Sequence, residues 1–313
     1  VRALLFLAAG ISACAAAVTA CAGSDDADLS VAGWYASWRT DPDSVALSGV
    51  DDVFYAFALP TAAGGLDTIP APDRLRALVA RGARDGFRVH LSIGGWNDGD
   101  DAAFEVLADD PARRRAFADA AVDVVGEFGL DGIDIDWEHP DPGPSARNYA
   151  ALVAVLADAL RPIGASLSVS VAGSWAGGGG AILPEVFERA DRIHVMAYAG
   201  GYGPDHASFR YARSAIDTYL DMGAPPRKLF LGIPFFALNE AGDALQYREV
   251  AGESDGALAG DRYGDYFYNG EATLRAKVRL AATEGLGGLI AWDLTADAPG
   301  PGALLPVLLD EAR

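Results

Sequence analysis

Cysteine is almost missing from this chain. Its 313 residues hold only Cys14 and Cys21, both inside an N-terminal segment that reads as removable. Once that segment is processed no internal disulfide is available. The rest of the chain must therefore rely on a large core, which its length and 51% hydrophobic content permit. Positive charge is also short, and most of it is Arg; Lys228 and Lys277 are the only lysines. Against 24 Lys and Arg stand 44 Asp and Glu, giving a net charge of −20. That balance argues against nucleic acid and anionic membrane surfaces as partners. It suits neutral or cationic polymers, and equally a simple gain in solubility. The four histidines, His90, His139, His194 and His206, do not pair with other ligand-type residues at metal spacing, so no metal or organic cofactor is expected. No Gly-rich dinucleotide loop follows the first candidate strand. No internal repeat stands out beyond a strand–helix rhythm.

The N-terminus combines Arg2, an apolar stretch from Ala3 to Ala20, and Val18-Thr19-Ala20-Cys21. A charged start, a short apolar region and small residues before a cut site describe a secretory signal peptide over 1–21, too short and small-residue-rich for a good membrane span. Val-Thr-Ala-Cys resembles a bacterial lipobox, which makes Cys21 the lipidation candidate and a lipid anchor the expected link to a membrane. Ordinary cleavage and secretion is the alternative. Residues 22–29 read as a flexible tether, and 30–313 as a single domain.

Within that domain, short β-branched or aromatic runs alternate with Ala/Leu/Arg-rich helical stretches. The runs predict strands at Ser30–Ser37, Asp52–Leu59, Arg88–Gly95, Gly132–Glu138, Ser166–Ala172, Arg192–Tyr198, Lys228–Phe236 and Leu286–Leu294. Helices are expected at Pro72–Asp85, Pro111–Phe128, Ser145–Leu160, Pro184–Ala190, Ser208–Met222, Gly270–Glu284 and near Ala303–Glu311. Pro72, Pro111 and Pro184 suit helix first turns, and Gly86, Gly129, Gly223 and Gly285 suit helix ends. Such alternation implies parallel β-α-β units, and eight of them point to a (β/α)8 TIM barrel; a doubly wound sheet is the runner-up.

Residues 131–138 read Asp-Gly-Ile-Asp-Ile-Asp-Trp-Glu. On a strand, alternate side chains share a face. Asp134, Asp136 and Glu138 then fall on one side, and Ile133, Ile135 and Trp137 on the other. Same-face neighbours lie only about 6.6 Å apart along a strand, and three carboxyl groups that close cannot all ionise cheaply out of water. At least one should hold its proton well above the usual range, as a general acid for a glycosidic oxygen requires. A calcium or magnesium site is the competing reading, but alternate acids on a strand lack the tight loop of a calcium motif. Asp131 has the opposite parity to Glu138 and is expected to serve the turn before the strand. In a barrel, chemistry gathers at the carboxyl ends of the strands. Those ends carry Trp34-Tyr35-Ala36-Ser37-Trp38, Tyr55-Ala56-Phe57, Ser92-Ile93-Gly94-Gly95-Trp96, Met196-Ala197-Tyr198 and Trp292. Aromatic faces of this kind stack on sugar rings.

The acidic octapeptide resembles the active-site signature of chitinases in glycoside hydrolase family 18. Ser92-Ile93-Gly94-Gly95, Met196-Ala197-Tyr198, Lys228 to Phe235 and Trp292 resemble that family's third, sixth, seventh and eighth strands, in order from about residue 31 to the end. The resemblance implies retaining hydrolysis of β-1,4 links beside N-acetylglucosamine, with the substrate's acetamido group as nucleophile. It implies Glu138 as general acid and base, and Asp136 turned toward the acetamido N–H. Asp134 would share a proton with Asp136, and Tyr198 would donate to the acetamido oxygen. Trp292 would lie under the reacting sugar, and Tyr35, Phe57, Gly95, Trp96, Trp137 and Met196 would complete the substrate-lining set. The implied partner is an N-acetylglucosamine polymer or oligomer, for a monomer exported and lipid-anchored at the cell envelope. An endo-β-N-acetylglucosaminidase on N-glycans, a peptidoglycan-directed glycosidase and a non-catalytic carbohydrate-binding barrel are the alternatives.

Two departures stand out. Ala199 occupies the position after Tyr198 where many chitinases have Asp. The stretch from Ala237 to roughly Gly270 is short for the α+β insertion of processive relatives, which predicts an open, shallow groove. His139, beside Glu138, is expected to be a solvated loop residue.

Overall fold

Strands that are apolar on both faces need cover on both faces, and this chain supplies it by closing its strands on themselves inside a layer of helices. The computed structural model describes residues 28–173, 181–253 and 260–313. Its strands are β1 Ser30–Ala36, β2 Asp52–Ala58, β3 Arg88–Gly95, β4 Gly132–Trp137, β5 Ser166–Ala172, β6 Arg192–Met196, β7 Leu229–Pro234, β8 Phe236–Leu238, β9 Ala244–Gln246, β10 Arg262–Tyr263, β11 Tyr266–Phe267 and β12 Gly288–Trp292. Strands β1 to β7 and β12 form a closed barrel, each parallel to its neighbours, with β12 between β7 and β1. The expected (β/α)8 barrel is the fold.

The helices are α1 Pro72–Asp85, α2 Ala102–Asp109, α3 Pro111–Phe128, α4 Pro144–Leu160, α5 Pro184–Arg189, α6 Phe209–Asp221, α7 Tyr247–Glu253, α8 Glu271–Thr283 and α9 Leu305–Glu311. Sequence reading missed α2, although its Phe104, Leu107 and Ala108 are spaced for one helical face and are buried. The expected seventh strand stops early. Pro234 closes β7, and the chain bends into β8, which joins β9, β11 and β10 in a small antiparallel sheet. That sheet and α7 occupy the stretch where a large insertion was judged absent.

Most of the apolar core lies between the barrel and its helices. A smaller cluster fills the barrel itself, from Ala32, Trp34, Phe54, Ala56, Phe230 and Ile290. At the amino-terminal end the barrel is plugged by charge. Asp52 is fully buried and meets His90 Nε2 at 2.7 Å, Arg88 at 2.8 Å and Arg192 at 2.9 Å. Burial alone would raise its pKa, but His90, Arg192 and Arg88 outweigh burial and hold the carboxyl well below the usual range.

The aspartate just before a strand also repeats as a hook. Asp51 accepts the Val31 amide at 2.8 Å, Asp131 the Val89 amide at 2.8 Å, and Asp191 the Leu167 amide at 2.9 Å. This gives Asp131 the structural role expected of it.

Replacing Asp52 leaves two guanidinium groups without their buried partner. Asp52→Asn should lower unfolding free energy at pH 7 by roughly 2–4 kcal/mol in urea titrations. Because the folded pKa is depressed, this contribution is present above the unfolded carboxyl's pKa and is lost as pH falls through the folded value. The gap between variant and wild type should therefore shrink in acid.

Candidate active site

Strand β4 is buried along its whole length, and its alternation sends Asp134 and Asp136 into the barrel mouth. Glu138 follows one residue past the strand end. Asp134 is fully buried and accepts hydroxyl hydrogens from Ser92 at 2.7 Å, Ser168 at 2.7 Å and Ser170 at 3.0 Å, with His194 Nδ1 at 3.1 Å. Burial works against its charge, but His194 and the serine donors prevail and keep it ionised below the usual carboxylate range. Asp136 is the opposite case. It is buried, its Oδ1 has no hydrogen-bond partner, and burial, Glu138 and Asp134 in that order push its pKa far up. Burial lifts Glu138 to about 7. Three carboxyl groups on one face thus take three protonation behaviours. The hydrogen bonds described for Asp134 come from the serines.

Tyr198 follows β6 by two residues. Its pKa rises well above the ordinary phenol value through burial and the nearby charges of Asp136, Glu138 and Asp134, so its hydroxyl stays a donor. Gly232 of β7 leaves it room, because a β-carbon there would come within 3.0 Å of its ring. Gly94 permits a still closer approach. Its φ is +118°, and a β-carbon would sit 2.0 Å from the Asp136 carbonyl oxygen. At Gly95 a β-carbon would meet the Phe57 ring at 2.6 Å.

The mouth of the barrel is paved with rings. Trp292 stacks on Phe57 at 5.4 Å, Phe57 on Trp38 at 6.2 Å, and Trp34 meets Trp292 edge-on at 5.6 Å. Trp38 and Trp96 are more than half exposed, whereas Met196, ending β6, is buried. A cavity of about 200 Å³ opens beside Glu138, lined among others by Leu59, Asp67, Gly95, Asn97 and Asp101. A larger one, about 280 Å³, lies by Ser166 and Asp191 at the amino-terminal end, remote from these carboxylates.

Two expected substrate-lining residues point elsewhere. Trp137 faces the helix layer, stacked on Phe104 at 5.2 Å, with its indole N–H donated to Asp101 at 2.9 Å. Tyr35 also faces outward, stacked on Tyr55 at 5.7 Å with its hydroxyl bonded to the Thr40 carbonyl. Both have the outward parity of their strands; Trp34 is the inward residue of that pair. His139 is not a solvated loop residue either. It is largely buried, and its Nε2 lies 3.5 Å from Glu138 Oε2. Burial lowers its pKa, which keeps it neutral.

Sequence reading also missed Ser92 as an Asp134 ligand, together with Ser168, Ser170 and His194. The alternating Ser-Leu-Ser-Val-Ser of β5 carried that signal, since its even positions face the barrel interior. Asp293, directly after Trp292, went unremarked. It is buried, lies 3.5 Å from Arg39 Nε and accepts the Thr295 hydroxyl, and burial raises its pKa. Among the described residues no group of three His, Cys, Asp or Glu could hold a metal ion, and no helix is long and apolar enough to cross a membrane. Cys21 and the 1–21 segment lie outside the described residues.

The model of the family described as glycosyl hydrolases family 18 matches residues 30–297. The chain belongs to this family. Endochitinase 1 of Metarhizium robertsii is 26% identical over 279 residues, covering 71% of this chain and 65% of that protein. The chain spans between 8% and 65% of the lengths of the leading curated relatives it matches. Among solved structures, the family 18 chitinase ChiB from the chitin utilization locus of Flavobacterium johnsoniae aligns with a TM-score of 0.79 at 23% identity, covering 91% of this chain and 94% of that one. A chitinase-like agglutinin of Robinia pseudoacacia aligns with a TM-score of 0.80 at 20% identity, covering 90% and 99%. These two likenesses are of fold alone: one of the two proteins is named a chitinase and the other a chitinase-like agglutinin.

The raised pKa of Glu138 makes a prediction independent of activity. A carboxyl whose folded pKa exceeds its unfolded value stabilises the fold below the unfolded pKa and loses that contribution as pH rises through the folded one. Glu138→Gln should therefore melt close to wild type at pH 4–5. At pH 8 it should be the more stable protein, by about 1–3 kcal/mol.

Proposed function

We propose that this chain hydrolyses β-1,4 links of N-acetylglucosamine in chitin or chito-oligosaccharides, with retention of configuration and the substrate's own acetamido group as nucleophile. The observation that carries this reading is the split among the three carboxyls. Asp134 is held ionised, Asp136 keeps its proton, and Glu138 titrates near neutrality at the cavity edge. A general acid works best with a pKa near the operating pH. In the first half-reaction Glu138 gives its proton to the departing glycosidic oxygen. The acetamido oxygen then closes on the anomeric carbon to form an oxazolinium ion. Asp136 Oδ1, which lacks a protein partner, is free to accept the acetamido N–H. Asp134 supplies negative charge behind it. Tyr198, kept protonated, donates to the acetamido oxygen and aligns it. In the second half-reaction Glu138, now a base, takes a proton from the water that opens the ring. Trp292, with Phe57 and Trp38 beside it, offers the apolar face on which the reacting sugar lies.

Catalysis is favoured over a purely lectin-like role because the acid, the acetamido partner and the phenol donor are all present. Fluorogenic chitobiose and chitotriose glycosides, an N-glycopeptide and peptidoglycan, assayed side by side, test the substrate class. Turnover confined to the N-glycopeptide or to peptidoglycan would replace chitin, and binding without turnover would leave the lectin reading. On chitotriosides kcat/KM should fall about tenfold per pH unit above roughly pH 7, as Glu138 loses its proton. Glu138→Gln should lower kcat by about 10³-fold, and Tyr198→Phe by roughly 10–10²-fold. Activity that survives Glu138→Gln would overturn the mechanism.

The small β8–β11 sheet supports an open groove and internal cuts. Soluble chitin derivatives should lose viscosity well before reducing ends accumulate. Disaccharide release from the first turnovers, without early chain shortening, would refute the open groove.

A further inference from the structure

Directly behind Tyr198 the chain makes a costly turn. Ala199 has φ +53°, a region that residues with a β-carbon occupy only when the surroundings hold them there. Its N–H donates to His206 Nδ1 at 3.4 Å. The same imidazole, 2% exposed, lies 4.8 Å from the Phe236 ring, and Phe236 meets Tyr198 edge-on at 5.9 Å. His206 thus supports Tyr198 from two directions, through the backbone behind it and through the ring beside it.

His206 is itself anchored. The carbonyl of Ala207, another left-handed residue at φ +48°, accepts from Lys277 Nζ at 2.7 Å and from Asn269 Nδ2 at 3.1 Å. Lys277 is fully buried on α8 and also reaches Asn269 Oδ1 at 2.6 Å. Burial lowers the His206 pKa to about 4, against a backbone hydrogen bond with Phe236 and with help from Lys277, and in the neutral ring the tautomer protonated on Nε2 leaves Nδ1 a lone pair for the Ala199 amide. Gly200 then passes so close to Tyr211 that a β-carbon there would lie 2.2 Å from the Tyr211 ring. The turn therefore has no room to relax on that side.

We propose that His206 is a positioning residue for the reaction: it fixes the Ala199 turn and so aims the Tyr198 hydroxyl, in a chain whose residue 199 has no polar side chain of its own. This rests on the role given to Tyr198 above. If it is right, removing the acceptor disturbs chemistry more than binding, and relieving the demand at Ala199 restores it.

The experiment compares wild type with His206→Phe, His206→Asn, Ala199→Gly, the double variant His206→Phe/Ala199→Gly, and Tyr198→Phe. It reads kcat and KM on the chitotrioside, the melting temperature, and the fluorine NMR signal of Tyr198 in fluorotyrosine-labelled protein, assigned by its loss in Tyr198→Phe. His206→Phe should lower kcat about tenfold or more with KM little changed, and should broaden or shift the Tyr198 signal. His206→Asn, which keeps an acceptor, should retain most activity. The double variant should recover much of the lost kcat. His206→Ala, with more space, takes the place of His206→Phe if that variant does not fold. Wild-type kcat with an unmoved fluorine signal in His206→Phe would overturn the proposal, as would a loss that Ala199→Gly does not restore. If wild type turns over no chitotrioside, or Tyr198→Phe equals wild type, the reading of Tyr198 fails instead. The fluorine signal alone then decides whether His206 fixes that ring.

Discussion

A carboxylate that stays ionised inside a barrel is the constraint from which the rest of this site follows. Moving such a charge out of water is affordable only where hydrogen bonds replace the lost solvation. Asp134 receives three hydroxyl donors and a neighbouring imidazole. The next carboxyl along the strand, buried without such donors, is kept from ionising first by that burial and then by the charges of Glu138 and Asp134. Asp136 keeps its proton, and Glu138, at the rim, is left to titrate near neutrality. His194 and the serines of β3 and β5 therefore help to decide which of the three acids is charged.

The same logic shapes the rest of the barrel interior. At the opposite end Asp52 is neutralised by Arg88, Arg192 and His90. Between the two charged layers sit Trp34, Phe54 and Phe230, with the His194 ring 4.6 Å from Phe54 and 5.7 Å from Phe230. Apolar packing in the middle lies between the Asp52 cluster and the carboxyls of the candidate site.

Much of this was legible in the sequence, through two periodicities. The strand–helix rhythm places all eight barrel strands, and the period of two places Asp134, Asp136 and Glu138 together. Where the reading went astray, the same period had been set aside. Tyr35 and Trp137 were grouped with the substrate because they are aromatic and near motifs, although their parity sends them into the helix layer. Ser168 and Ser170 were overlooked because short hydroxyl residues look neutral until a charge needs them. The end of β7 at Pro234 and the small sheet that follows depend on tertiary pairing of very short strands, which local pattern does not encode. The contact from His206 to Ala199 was hidden for another reason. It depends on a left-handed turn, and alanine at that position gives no hint of one.

The three aspartate hooks at the base of the barrel stitch neighbouring strands together. Asp51 ties β2 to β1, Asp131 ties β4 to β3, and Asp191 ties β6 to β5. Each tie spans a single crossover, so it closes a loop local in sequence. Such loops cost the least chain entropy to form. Backbone bonds at the same positions, from the Arg88 amide to the Asp51 carbonyl and from the Ser166 amide to the Asp131 carbonyl, carry the stitching on to the next strand. Asp51 and Asp131 thus each fasten three consecutive strands, with the side chain held to the strand before and the carbonyl to the strand after.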